Sequence, residues 1–180
     1  IRPKNLPTSN AAKTTSGLEV FLDRFSNSCR EVAQGGRRGA LMISLSVHHP
    51  QIRDFIRIKR DLSRVTGANI SIRLTEKFMC AVQGGDPINL RFPVNTKEQP
   101  IVEEWVDAKE LWHEIVESAH AAAEPGLLFW DTAKRMTPSD IYEAEGFGFF
   151  RKMELDENPG SRDIVLYDAL PNSLPRVGGI

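Results

Sequence analysis

Ala40-Leu-Met-Ile-Ser-Leu-Ser-Val47 decides the fold. It is a short apolar run with turn signals on both sides, Gly35-Gly36 and Gly39 before it and Pro50 after it. That pattern predicts a buried strand. Upstream, Ser16 and Glu19 have the spacing of a capping box, so a helix is expected from about Gly17 to Ala33. Its apolar positions Leu18, Phe21, Phe25, Cys29 and Val32 recur at threes and fours and form one stripe. Gly35-Gly36 ends it. Downstream, Pro50 starts a helix running to about Lys59. Asn69-Ile-Ser-Ile-Arg-Leu74 alternates as a second strand, and Thr75 caps a short helix through Val82. Ile88–Phe92 alternates again. Asp107 and Glu110 form another capping box, followed by a helix with Leu111, Trp112, Ile115, Val116, Ala119 and Ala122 on one face. Glu124-Pro125-Gly126 stops it, Leu127–Trp130 reads as a strand, and a turn or helix begins near Pro138. Asp163–Tyr167 is the last candidate strand, and 171–180 reads as a loose tail. Alternating strands and helices predict an α/β fold with a mainly parallel sheet, either open or part of a barrel.

Composition narrows the function classes. The chain has 180 residues, 41% hydrophobic and 26% charged, as a folded domain requires. With 23 basic and 24 acidic residues it lacks the cationic excess of a general nucleic-acid binder. No apolar run approaches the roughly 20 residues of a membrane span, and no signal-peptide core is present. The first residue is not methionine, so a fragment or a processed chain is expected. Cys29 and Cys80 lack metal-site spacing and read as free thiols of a reducing cytoplasm.

Four local features are candidates for chemistry. In Gln34-Gly-Gly-Arg-Arg-Gly39, glycines let backbone amides approach a ligand, and Arg37 and Arg38 offer fork-shaped donors to phosphate. A solvated basic turn is the competing reading, and the spacing is not that of a P-loop. His48 and His49 point to opposite faces if extended, so capping or packing is expected rather than one shared metal. His113 and His120 are two helical turns apart, so no metal site is expected. Asp131 follows a strand end, where both function and turn-capping are common.

Several stretches resemble the large, catalytic subunit of ribonucleotide reductases, most closely the adenosylcobalamin-dependent class. They are Ile1-Arg-Pro-Lys4, Ser16-Gly17, Gln34–Ala40, Val47-His-His-Pro50, Val65-Thr-Gly-Ala-Asn-Ile-Ser71 and Ala123-Glu-Pro-Gly-Leu-Leu-Phe-Trp-Asp131. The resemblance covers roughly 1–147 and leaves 148–180 as a diverged tail. It implies a piece of a ten-stranded α/β barrel. Residues 1–17 then correspond to the first specificity loop, which touches a deoxynucleoside triphosphate effector, with Arg2 near its phosphates. Residues 32–39 correspond to the second, with Gln34 and Arg38 at positions that contact the substrate base and phosphate. The helix between them corresponds to one that pairs across a dimer.

The resemblance also shows what is missing. The family needs a radical-bearing cysteine in an Asn-Pro-Cys-x-Glu type motif and two further redox cysteines. Neither Cys29 nor Cys80 has a matching context, and Glu157-Asn-Pro-Gly-Ser-Arg-Asp163 has Gly160 where the cysteine belongs. The resemblance therefore implies ribonucleotide-reducing ancestry in a chain inactive by itself, with no catalytic residue assigned and adenosylcobalamin not expected to bind. A non-catalytic nucleotide-binding or dimerisation module and one piece of a split reductase are the alternatives. A homodimer or higher oligomer, or association with the remainder of a reductase, is expected.

Overall fold

A computed structural model describes residues 1–9, 11–32, 36–37, 39–94 and 99–136. Ile1–Val94 with Gln99–Trp130 form one compact unit, and of a second unit Asp131–Met136 is described. The elements are α1 (Leu18–Glu31), β1 (Met42–Ser46), α2 (Ile52–Arg57) continued by a 3₁₀ turn (Ile58–Arg60), β2 (Asn69–Leu74), α3 (Glu76–Gly84), β3 (Pro87–Phe92), β4 (Val102–Asp107), α4 (Ala108–Ala122), β5 (Gly126–Phe129) and α5 (Trp130–Met136). No helix is long and apolar enough to cross a membrane among the described residues.

Strands β1, β2 and β5 form a parallel sheet with β2 in the middle. Its register pairs Met42 with Asn69 and Ser71 with Gly126. The α/β alternation is as expected, and the described residues form no closed barrel. The third expected strand does not join this sheet. β3 pairs antiparallel with β4, from Pro87–Asp107 to Phe92–Val102. β4 was illegible in the sequence because it reads Val-Glu-Glu-Trp-Val-Asp and buries only Val106. Its partner, rather than an apolar run, makes it a strand. The Arg91 amide donates to the His48 carbonyl (2.8 Å), which ties the hairpin to the turn after β1.

One face of β2 drives the packing. Ile70, Ile72 and Leu74 join Leu18 and Leu22 of α1, Phe55 and Ile56 of α2, Phe78 of α3 and Leu111 and Ile115 of α4 in one core. Each such side chain stabilises the fold by about 1.5–3 kcal/mol. Glu114 of α4 is the charged exception. Arg53 Nη1 donates to its Oε2 (2.7 Å) and Arg57 Nε to its Oε1, so the buried carboxylate is paired from two sides.

Two expected helix faces are corrected. On α1 the inward residues are Leu18, Leu22 and Ser26, while Phe21, Phe25 and Val32 stand outward at 41%, 46% and 67% exposure. On α4, Leu111 and Ile115 are buried as expected, but Glu114 and Ser118 are buried with them and Val116 is exposed. In both helices, a polar residue with a specific partner took an inward position that apolar periodicity had assigned elsewhere. The caps divide similarly. Asp107 accepts from the Glu110 amide (2.8 Å) and Thr75 from the Phe78 amide (3.2 Å), as expected. At α1 the N-cap is Gly17 without a side-chain cap, and Glu19 instead accepts from Arg64 (2.6 Å).

The two histidines are structural. His48 Nδ1 lies 3.1 Å from the Asn89 carbonyl and Nε2 lies 2.9 Å from Thr75 Oγ1. His49 accepts the Gln51 amide at Nδ1 (3.0 Å), so its proton sits on Nε2, donated to the Ile1 carbonyl (2.9 Å). Burial lowers the pKa of His49 below 6.5, against the raising effect of the Ile1 carbonyl. The unfolded chain then binds the proton more readily than the folded one, so stability falls as pH drops below about 6.5 toward the folded value. Chemical denaturation of the wild type should show this loss as the pH falls through and below about 6.5, and His49→Gln should flatten that slope. Identical slopes in the two proteins would remove His49 from the account.

Candidate functional site

Helix α1 carries a polar segment at each end. At its N-terminal end residues 1–17 close on themselves. The Asn5 amide donates to the Thr15 carbonyl (2.9 Å) and the Thr15 amide to Leu6 (3.0 Å). Arg2 Nη1 donates to the Pro7 carbonyl (3.0 Å), and its guanidinium lies 5.8 Å from the Phe92 ring centroid. Gln51 holds this segment to the helix. Its Oε1 accepts both the Lys4 amide (2.9 Å) and the Leu18 amide (3.1 Å). Leu18 is the first helical residue, so a side chain 33 positions away satisfies an orphan amide there. Gly17 has φ 83°, and a Cβ on it would come 2.6 Å from Lys4 Cβ and 2.9 Å from Gln51 Oε1. Only glycine allows this crossing.

At the other end α1 stops at Glu31, and Gly36 (φ 82°) and Arg37 are exposed in the turn beyond it. An open cavity of about 910 Å³ lies beside this turn, lined by Cys29, Arg30, Leu41, Met42, Thr66 and Asn69 among others. Arg30 Nη1 donates to Thr66 Oγ1 (3.0 Å) across it. Gly39 packs against Cys29, where a Cβ would meet Sγ at 2.8 Å.

Of the four residues expected at a nucleotide site, the two that are described lie apart. Arg2 lies at the N-terminal end of α1 and Arg37 beyond its C-terminal end. Fourteen residues of helix put the two ends about 21 Å apart. Gln34 and Arg38 lie outside the described residues, as do Pro138, Asp163–Tyr167 and Asn158-Pro159-Gly160. Asp131 sits in the first turn of α5, where the helix dipole favours a carboxylate with or without a ligand. Cys29 and Cys80 are free thiols, half-buried on α1 and exposed on α3. No group of three or more His, Cys, Asp or Glu is placed to hold a metal among the described residues.

Sequence reading missed Gln51, Arg30 and Arg64. Arg64 pairs with both Glu19 and Asp23 of α1 at 2.6 Å, and the two carboxylates, Asp23 foremost, favour its charged form. None of the three had a local signal, because each partner is dozens of residues away. The run Val65–Ser71, noted for its resemblance, turns out to be a joint. The Gly67 amide donates to Ser26 Oγ (2.9 Å), and the Ala68 carbonyl accepts from Lys59 Nζ (2.6 Å). Likewise Glu124 accepts from Lys59 Nζ (3.1 Å) and from the Ile70 amide (3.3 Å).

The model of the ribonucleotide reductase barrel domain matches residues 1–145. The chain belongs to the ribonucleotide reductase family. A vitamin B12-dependent ribonucleoside-diphosphate reductase of Mycobacterium tuberculosis (strain CDC 1551 / Oshkosh) is 36% identical over 140 residues, 77% of this chain and 20% of its own length. That of Thermoplasma acidophilum is 33% identical over 140 residues, covering 77% and 18%. A vitamin B12-dependent ribonucleotide reductase of Streptomyces coelicolor is 33% identical over 142 residues, covering 65% and 14%. This reductase chain thus spans about a fifth or less of the length of those relatives.

Replacing Gln51 with Ala should leave the Lys4 and Leu18 amides without their shared acceptor. A loss of about 1–3 kcal/mol is expected in urea unfolding. Unchanged stability would show that Gln51 does not clamp the first segment to α1.

Proposed function

We propose that this chain is the effector-specificity portion of a B12-dependent ribonucleotide reductase, competent to bind a deoxynucleoside triphosphate and to self-associate, and catalytically inactive alone. The outward seam of α1 is the observation that carries this reading. Phe21, Phe25 and Val32 face out at spacings of four and seven, and the Phe21 and Phe25 rings lie 6.3 Å apart. Ser28 falls between them on the same line, which is the spacing of a helix-pairing seam. Two copies related by a two-fold axis would lay their α1 helices antiparallel. The Arg2 end of one copy would then lie beside the Arg37 turn of the other. That arrangement gathers basic groups which one copy keeps about 21 Å apart, and an oligophosphate suits them.

The inactivity follows from the thiols. A glycine at 160 cannot carry a thiyl radical, and Cys29 and Cys80 sit on separate helices, α1 and α3. No catalytic step is assigned, and adenosylcobalamin is not taken up by this chain alone. One observation favours the split-subunit alternative. Among the described residues β1 and β5 each have one unpaired edge, and such edges invite another strand. A polypeptide carrying the redox cysteines would then complete the sheet, and restored ribonucleotide reduction on mixing would establish it. The remaining alternative is a pure interaction module, which would self-associate without binding nucleotide.

Calorimetry with deoxynucleoside triphosphates should give micromolar binding, weakened by about 1.5–3 kcal/mol in Arg38→Ala. An absence of binding at millimolar nucleotide would overturn the effector reading. Light scattering should find a dimer or larger species that Phe21→Glu converts to monomer. A wild type that is already monomeric at high micromolar concentration would sink the seam.

A further inference from the structure

Parallel sheets are ordinarily covered on both faces, and their strands then read as continuous apolar runs. One face of the β1-β2-β5 sheet departs from this. In-register neighbours of a parallel sheet point the same way, so Ser44 stands beside Ser71 and Gly126, and Ser46 beside Arg73 and Leu128. The opposite face carries Ile70, Ile72 and Leu74, each no more than 1% exposed. A sheet that breaks the packing rule on one side only points to a use for that side.

Arg73 is the group the fold leaves unanswered. Its Nε is buried and has no hydrogen-bond partner among the described residues. Its guanidinium lies 5.2 Å from the Trp130 ring centroid. Burial pushes its pKa down. A half-buried guanidinium with one unsatisfied N–H is unfavourable, and an aromatic face offsets only part of that. Ser46 Oγ accepts from the His48 amide (3.3 Å), which leaves its hydroxyl proton to donate. At Gly126 a Cβ would come 2.9 Å from Ser71 Oγ, so glycine keeps that row open.

We propose that Arg73, flanked by the hydroxyls of Ser46 and Ser71, is a docking point for a phosphate oxyanion of a nucleotide on this polar face. The proposal rests on the reading of the chain as a nucleotide-binding reductase piece. It is separate from the Arg2 and Arg37 loops, which flank a helix packed into the apolar core on the other face. A guanidinium fork accommodates either phosphate or carboxylate. Hydroxyl donors beside it favour phosphate, which has more oxygens to satisfy.

The test is a titration of the nitrogen-15-labelled 180-residue chain with inorganic pyrophosphate. The readout is the Arg73 Nε–H resonance, assigned by its absence in Arg73→Gln. Millimolar pyrophosphate should shift it saturably at constant ionic strength. Calorimetry should show pyrophosphate binding weakened about tenfold or more in Arg73→Gln. Arg73→Lys keeps the charge without the fork and should fall between, which guards against a variant that merely fails to fold. The proposal is overturned by an unmoved resonance, by undiminished binding in Arg73→Gln, or by acetate producing the same shift, since a carboxylate would then be the occupant. Arg38→Ala should leave the Arg73 shift intact. Deoxynucleoside triphosphate binding that survives Arg38→Ala but is lost in Arg73→Gln would sink the effector reading and leave this one standing.

Discussion

The close approach of Gly67 to helix α1 sets how that helix is seated on the core. A Cβ at Gly67 would collide with the Ser26 carbonyl and lie 2.7 Å from Arg30 Cγ, so the β2 approach can sit against α1 only through glycine. The Gly67 amide then takes Ser26 Oγ as its acceptor, which turns Ser26 inward. With Ser26 inside, Leu18 and Leu22 are the apolar residues on the buried line of the helix. Phe21, Phe25 and Val32 are rotated out. One backbone contact thus decides which half of a broad apolar sector becomes core and which becomes surface.

The same helix is held at both ends by groups distant in sequence. Gln51 clamps the segment before it, and Arg64 spans Glu19 and Asp23 along its flank. These contacts fix the orientation of α1, and with it the direction of the segments at its two ends. Within one copy the helix keeps Arg2 and Arg37 apart, which is why a nucleotide site built from both calls for a second copy.

The parallel sheet has two unlike faces for a related reason. Among the described residues the helices α1 to α4 share a core with one of them, and that face took the isoleucines and leucines of β2. The other kept serines, a glycine and Arg73. In a family whose domain is a barrel, a polar sheet face is what a lumen requires, and a chain of this length supplies part of its wall.

Much of this was readable in the residues. Alternation in Asn69–Leu74 and the run at 40–47 located β2 and β1, and Asp107 and Thr75 capped the helices they were expected to cap. These are local rules, set by side-chain period and by orphan amides three residues away. The family, too, was legible, because short runs such as Val65–Ser71 and Ala123–Asp131 keep their order along the chain. Tertiary structure alone decided the rest. It gave β4 a partner, seated α1 on Ser26 rather than on Phe25, assigned Gln51 the cap that Ser16 was expected to supply, and left Arg73 Nε without an acceptor among the described residues. Each of these depends on a group dozens of residues away, and the energy of such a contact is not encoded in any local pattern of the chain.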